Sequence, residues 1–226
     1  MSNEKLNQSF AIPLQKIEEE IGTHFNNSLV GYSTVVSPRA LEFVDTMILM
    51  RTEILEKLVR KIPLRSEEKE FPYKDSEISV FSREPKGFEV GQTFISSQKI
   101  LSIMDNLEGR IFSGFELKGI SKMPPVQIYG LDKQGKKVIA FYIPPIIEIH
   151  GNQAVLIDGV HRSYICKSAG TTINAIHVNN VSAPLPFKAI KWQNTSVVTE
   201  KPPIEQRYLD LKKEYFRDLG AVGIDG

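Results

Sequence analysis

The chain has 226 residues, which gives room for one medium-sized domain with appendages, because folded units usually contain roughly 100 to 200 residues. Hydrophobic residues make up 41% and charged residues 24%, a balance that excludes a disordered, collagen-like or fibrous protein. The 28 basic and 27 acidic side chains leave a net charge of +1, so bulk electrostatic attraction gives no argument for binding nucleic acid or an anionic membrane.

The chain contains one cysteine, Cys166, which cannot form an internal disulfide or a cage of thiolate metal ligands. We interpret it as a buried core thiol. No stretch approaches the ~18 uninterrupted apolar residues that span a bilayer, and residues 1–10 are polar. We therefore expect a cytoplasmic protein with no membrane partner.

The N-terminal part of the sequence predicts a helical segment. Ser37 and Pro38 form a helix start and Pro63 a stop. Apolar residues between them recur at three-, four- and seven-residue steps, which predicts one long helix over 37–62. The apolar stripe of that helix either packs within its own domain or forms a homodimer contact. The charged stretch 64–90 predicts an exposed connection or a short edge element.

The central part of the sequence predicts two β-hairpins. Each consists of two apolar, β-branched runs around a short turn: 126–131 and 137–143 around 132–135, and 146–150 and 153–157 around Gly151-Asn152. A short helix then ends at Ala169-Gly170, and a strand follows at 173–178. Residues 146–178 therefore predict a β-turn-β-α-β unit.

The predicted fold class is α+β (α/β), with a small mixed sheet. We expect a helical segment with a charged linker at 1–90, the mixed-sheet domain at 91–182, and a C-terminal part at 183–226. This last part combines a proline-rich strap, which Trp192 holds in place, with an amphipathic helix over 203–219.

One group of residues carries a chemical signal. A strand that ends at Asp158 leads through Gly159 into a helix that begins with His161 and Arg162. The free N–H groups and positive dipole end of such a helix favour an anion, and a guanidinium fork suits phosphate oxygens. Asp158 is either the helix cap or a functional carboxylate that holds a cation or acts as a base.

The run from Ile146 through Asp158-Gly159-Val160-His161-Arg162 to the strand at 173–178 resembles the ParB/sulfiredoxin superfamily. The likeness covers about 92–182 and is strong over 146–178. The Asp-Gly-x-His-Arg form is closest to members related to free serine kinases and to proteins with an Asp-Gly-Gln-His-Arg signature.

The resemblance implies a domain that binds ATP, ADP or another nucleotide. The resemblance implies that the helix start, with His161 and Arg162, holds the phosphates. Together with the reading of the residues themselves, the predicted phosphate-binding residues are Gly159, Val160, His161, Arg162 and Ser163. The predicted catalytic residues are Asp158 and His161, with Asp158 as either the base or the Mg²⁺ ligand. An upstream catalytic glutamate is expected as well, and Glu89, Glu108 and Glu116 are the candidates. Lys167 is a further candidate contact for phosphate or substrate.

The resemblance also sets limits. Val160 stands where sulfiredoxins have a cysteine, so their repair chemistry is not expected. The Glu-Asn-x-x-Arg box and the following helix-turn-helix of the partition proteins are not found. We therefore favour a nucleotide-dependent phosphotransferase or NTP hydrolase that acts on a small molecule. The alternatives are a DNA-associated nuclease-like, DNA-modification or partition-type protein, and a non-catalytic nucleotide sensor. His24, His150 and His177 lack metal-ligand spacing and are interpreted as structural.

Overall fold

The structure is a computed structural model of the chain and describes residues 10–25, 29–105 and 119–225. Helices and mixed sheets occur together, which confirms the predicted α+β class. The helices are α1 (Leu14–Ile21), α2 (Thr52–Arg60), α3 (Ser97–Ile103), α4 (Gly119–Lys122), α5 (Val160–Ser168) and α6 (Ile204–Arg207). The strands are β1 (Ala11–Pro13), β2 (Thr34–Val36), β3 (Leu41–Leu49), β4 (Glu77–Arg83), β5 (Glu89–Val90), β6 (Phe94–Ser96), β7 (Val126–Asp132), β8 (Lys137–Tyr142), β9 (Ile146–His150), β10 (Gln153–Leu156), β11 (Ile173–Asn179), β12 (Ile190–Lys191) and β13 (Ser196–Val198).

The chain divides into two units, and each is assembled from separate stretches of sequence. The first contains Met1–Lys61, Pro125–Ile143 and Leu219–Gly226, and the second contains Ile62–Pro124 and Pro144–Asp218. The boundaries expected at 90 and 182 both fall inside the second unit. None of the helices in the described residues combines the length and apolar character needed to cross a bilayer.

The first unit contains a five-stranded sheet in the order β1-β2-β8-β7-β3. Strands β2 and β8 are parallel, and the other neighbours are antiparallel. The predicted hairpin is confirmed as β7 and β8. Its turn is closed by the carboxylate of Asp132, which accepts hydrogen bonds from the backbone N–H groups of Gln134 and Lys136, each at 2.9 Å.

The long helix predicted over 37–62 is wrong for most of its length. Residues 41–49 form β3, which pairs antiparallel with β7, and only Thr52–Arg60 is α-helical. The start signal at Ser37 is used for a short 3₁₀ turn, Pro38–Ala40. Side chains branched at Cβ favour a strand when a partner strand is present, and residues 41–49 contain Val44, Thr46 and Ile48. Pairing with β7 therefore overrides the helical spacing.

The second unit contains a six-stranded sheet in the order β12-β5-β10-β9-β11-β4. Strands β9 and β10 form the second predicted hairpin, and α5 connects β10 to β11, which lies parallel to β9. The β-turn-β-α-β unit predicted at 146–178 is therefore confirmed. Strand β4 lies at an edge of this sheet, which agrees with the edge element that was one of the two alternatives predicted for residues 64–90.

The terminal helix predicted over 203–219 is also wrong. Only Ile204–Arg207 is α-helical, and the chain then continues through a 3₁₀ turn at Lys213–Tyr215. Its backbone bonds the proline-rich strap instead: Lys188 N–H donates to the carbonyl of Leu209, and Lys212 N–H donates to that of Pro186, both at 2.8 Å. These bonds to the strap replace the i→i−4 bonds of a helix.

Aromatic packing holds the same segment in place. The rings of Phe187, Tyr208 and Phe216 lie within 5.3 to 6.0 Å of one another, centroid to centroid. Trp192 holds the strap as expected, because its buried indole N–H donates to the carbonyl of Pro85 at 2.8 Å.

Candidate functional site

The turn before α5 requires glycine at position 159. Gly159 is the N-cap residue and has φ +83, a left-handed conformation that side-chain-bearing residues rarely adopt. A Cβ atom there would lie 2.7 Å from the Cβ and Cγ atoms of Pro145. The glycine is therefore needed for both the turn and the packing against Pro145.

Asp158 and Arg162 form an ion pair across the first turn of α5. The Nη2 atom of Arg162 donates to Oδ2 of Asp158 at 2.7 Å, and both residues are 9% exposed. Because Gly159 is the N-cap residue, the interpretation of Asp158 as the helix cap is wrong. The carboxylate instead neutralises and orients the guanidinium that the sequence predicts to bind phosphate.

His161 connects α5 to the start of α3. Its Nε2 atom accepts a hydrogen bond from the backbone N–H of Ser96 at 3.1 Å, and the ring is buried. An accepting Nε2 carries no proton, so the imidazole is neutral in this arrangement. Ser96 in turn caps α3, because its hydroxyl accepts from the N–H of Lys99 at 3.2 Å. His161 therefore fixes the starts of two helices relative to each other.

Ser163 lies one turn into α5 and is fully buried. Its N–H donates to the carbonyl of Gly159 at 2.9 Å, but its hydroxyl has no hydrogen-bond partner among the described residues. A buried hydroxyl without a partner is uncommon and requires an explanation. The alternative interpretations of His161 and Arg162 as a solvated helix start, and of Ser163 as an exposed position, are wrong because all three are buried.

Three further residues of α5 were considered from the sequence, and each has a different environment. Val160 is half-buried at the first position of α5. The Nζ atom of Lys167 lies over the rings of Tyr164 and Trp192, 5.7 Å from each centroid. Cys166 is buried, which confirms the core interpretation.

Two expectations concern carboxylates and metal ions. Glu89 lies on β5 and accepts from the Nε2 atom of Gln153 at 3.3 Å, whereas Glu108 and Glu116 lie outside the described residues. Across residues 10–25, 29–105 and 119–225, no group of three or more His, Cys, Asp or Glu side chains is placed to hold a metal ion. The expectation that Asp158 holds Mg²⁺ stays a prediction.

Sequence reasoning missed a buried ionic cluster around Glu148 on β9. The side chains of Glu148 and Arg217 are fully buried, and Arg217 donates two hydrogen bonds to the carboxylate, Nε to Oε1 at 2.7 Å and Nη2 to Oε2 at 2.9 Å. The hydroxyl of Tyr73 donates to Oε1 at 2.6 Å, and Nε2 of His150 lies 2.7 Å from Oε2. Each carboxylate oxygen thus has two partners, as a buried charge requires.

The cluster changes the proton affinities of its members. Burial raises the pKa of Tyr73 well above its ordinary value, and the neighbouring Glu148 charge raises it further. Burial is the largest single effect on Arg217 and acts to lower its pKa, but Glu148 and Tyr73 together outweigh burial and raise the pKa above its ordinary value. The sequence contained one signal for the cluster, a glutamate within the apolar strand 146–149.

His177 on β11 is a buried histidine of a different kind. Its ring stacks on Phe81 with the centroids 3.7 Å apart, and neither ring nitrogen has a hydrogen-bond partner among the described residues. Burial, with a smaller contribution from the Arg83 charge, lowers the pKa of His177 from 6.5 to about 4. The ring is therefore neutral near pH 7.

This low pKa predicts acid sensitivity. The unfolded chain takes up a proton on His177 as the pH falls through 6.5, whereas the folded chain takes it up only near 4. Stability from this group is therefore present above 6.5 and is lost as the pH falls toward 4. We expect a loss of about 2 kcal/mol, less than the full shift implies, because Phe81 is half exposed and solvent screens the charge.

Urea unfolding of the parent protein and of the His177→Phe variant, near neutral pH and in mild acid, measures this loss. The variant keeps a ring for Phe81 to stack on but cannot be protonated, so its free energy of unfolding should fall less in acid. Equal acid sensitivity of the two proteins would exclude this role of His177.

Comparison of the chain with protein-family models, with curated proteins and with solved structures gives no match.

Proposed function

We propose that this chain is a nucleotide-binding protein that acts as a nucleotide-dependent phosphotransferase or NTP hydrolase on a small molecule, with the cytoplasm as its expected location. The observation that carries the proposal is the start of α5, where a glycine-capped helix presents an arginine held by a neighbouring carboxylate. First-turn N–H groups, the helix dipole and a guanidinium fork together suit a phosphate group.

The Asp158–Arg162 pair suggests how the site works. Before a nucleotide binds, Asp158 neutralises Arg162 and holds its guanidinium in place. When a phosphate group binds the guanidinium of Arg162, the Asp158 carboxylate loses its ion-pair partner. Asp158 is then able to accept the proton of an acceptor hydroxyl or of water, while Arg162 stabilises the charge on the transferred phosphoryl group.

The other residues have supporting roles in this proposal. His161 positions α5 against α3 through its bond with Ser96. Ser163 offers a buried hydroxyl whose partner would be the bound nucleotide. In the alternative role, Asp158 would hold the Mg²⁺ that accompanies the nucleotide instead of acting as the base, because Mg²⁺ at nucleotide sites is commonly held by one or two carboxylates together with phosphate oxygens.

A thermal-shift screen with ATP, ADP, GTP and adenosine, with and without magnesium, tests the proposal. Ligand at about 100 times its Kd stabilises the folded state by about 2.7 kcal/mol. For a chain of this size that stabilisation corresponds to a rise of roughly 5 to 10 °C in Tm. We expect this rise with a nucleotide and not with adenosine, which lacks phosphate. Equal shifts with adenosine and ATP would exclude phosphate recognition. Binding of a nucleotide without turnover would favour the alternative function, a non-catalytic nucleotide sensor.

A further inference from the structure

Strand β4 forms one edge of the six-stranded sheet in the second unit. All seven of its residues, Glu77–Arg83, pair with β11 without a register shift. Its other side has no neighbouring strand in the described sheet, so β4 presents a straight row of backbone donors and acceptors. Such an edge is a template for another strand.

The side chains of β4 do not protect this edge. Val80 is 38% exposed and Phe81 is 47% exposed, and the strand contains no proline and no lysine. Natural edge strands are usually protected by proline, by charged side chains, by a bulge or by short length, and the charged residues of β4, Glu77 and Arg83, lie only at its two ends. The other sheet edges in the described residues have such protection, because β1, β6 and β13 have three residues each, β12 has two, and β3 contains register shifts.

The sequence of β4 is complementary to itself. In an antiparallel pair centred on Val80, Glu77 of one copy lies opposite Arg83 of the other, and the same ion pair recurs at the other end. Residues directly opposite each other in antiparallel strands share a face, so both charge pairs can form. Glu77 and Arg83 lie on the same face as Phe81, which stacks on His177.

We propose that this chain forms a homodimer in which β4 pairs antiparallel with β4 of a second copy, centred on Val80. The pairing joins the two six-stranded sheets into one and places Val80 on the two-fold axis. Strand β3, the other long edge, is less suited, because its charged residues, Glu42 and Asp45, are both acidic and cannot form opposite-charge pairs with a second β3.

Light scattering during size-exclusion chromatography measures the mass of the particle at protein concentrations from about 1 to about 100 µM. A small interface is expected to dimerise within this range of concentrations. We expect twice the chain mass of 25.5 kDa at the upper end. Val80→Lys, which brings two like charges together on the axis, should give the monomer mass throughout. Val197→Lys, at an exposed apolar position on β13, is the matched control and should still dimerise.

A charge-exchange experiment tests the register. Glu77→Arg and Arg83→Glu each place like charges opposite each other in a homodimer, so each variant alone should be monomeric. A mixture of the two variants restores both opposite-charge pairs and should give a heterodimer. A parent protein that is monomeric throughout, or a dimer that survives both Val80→Lys and Glu77→Arg, would overturn the proposal. Survival would assign the dimer to another surface, such as β3.

Discussion

Replacement of Arg217 by methionine is expected to destabilise the protein by about 3 to 5 kcal/mol, the usual effect of removing one partner from a buried ion pair. The side chains of Arg217 and Glu148 are fully buried and share two hydrogen bonds. Methionine fills a similar volume but leaves the Glu148 carboxylate buried without its counter-charge. Urea unfolding followed by circular dichroism measures the change in free energy.

Two further variants separate the ionic effect from loss of packing. Arg65→Met removes an exposed ion pair with Asp218, whose atoms lie 4.0 Å apart, and should change stability by less than about 1 kcal/mol. The double variant Glu148→Leu/Arg217→Met removes both charges and should recover much of the loss. An Arg217→Met protein as stable as the parent would show that the cluster contributes little to stability.

The second large effect is expected at the Asp158–Arg162 pair, where the two partners should act in opposite directions on nucleotide affinity. Arg162→Gln removes the phosphate-binding charge and should weaken ATP binding by about 10- to 100-fold. Asp158→Asn leaves the arginine without its competing carboxylate, so ATP affinity should persist or rise. Turnover of Asp158→Asn should fall by roughly 10² or more if Asp158 is the base.

The stability of the two variants provides an internal reference. Both lose the same buried ion pair, so both should be destabilised, each by about 1 to 3 kcal/mol. A purely structural pair would therefore lower stability in both variants without separating their ATP affinities. Lys57→Gln breaks the Glu53–Lys57 pair of α2, which has the same four-residue spacing, and should leave ATP affinity unchanged.

The parts of the fold predicted correctly are those that local sequence determines. The two hairpins follow from apolar runs around short turns, and in the structure Gly135 and Gly151 have the positive φ that such turns favour. The end of α5 follows from Gly170, which has φ +65 and whose N–H donates to the carbonyl of Lys167. The sequence of a short turn is therefore enough to predict its conformation.

The parts predicted incorrectly depend on contacts between distant residues. Residues 41–49 have helical spacing, but pairing with β7, some 80 residues away, makes them a strand. The two tyrosines and the one phenylalanine of 203–219 fit a helix stripe, but Tyr208 and Phe216 pack on Phe187 of the strap. In both segments the sequence shows the apolar pattern but not the residues against which that pattern packs.

The contacts of the candidate site and of the buried cluster also differ in how far apart their residues lie in the sequence. Asp158 and Arg162 are four residues apart, a spacing that allows an ion pair at a helix start, but this pair was not predicted from the sequence. The contact between His161 and Ser96 spans 65 residues, and that between Arg217 and Glu148 spans 69. No local pattern connects residues at such separations. Glu148 could be identified only as a charge in an apolar strand.

Calorimetric titration of ATP into the parent, Arg162→Gln and Asp158→Asn proteins tests the central claim most directly, because it measures affinity independently of turnover. We predict one nucleotide per parent chain, a loss of affinity of about 10-fold or more in Arg162→Gln, and retained or tighter binding in Asp158→Asn. If ATP binds the Arg162→Gln protein as tightly as the parent, or if the parent binds no nucleotide, the start of α5 is not a phosphate site.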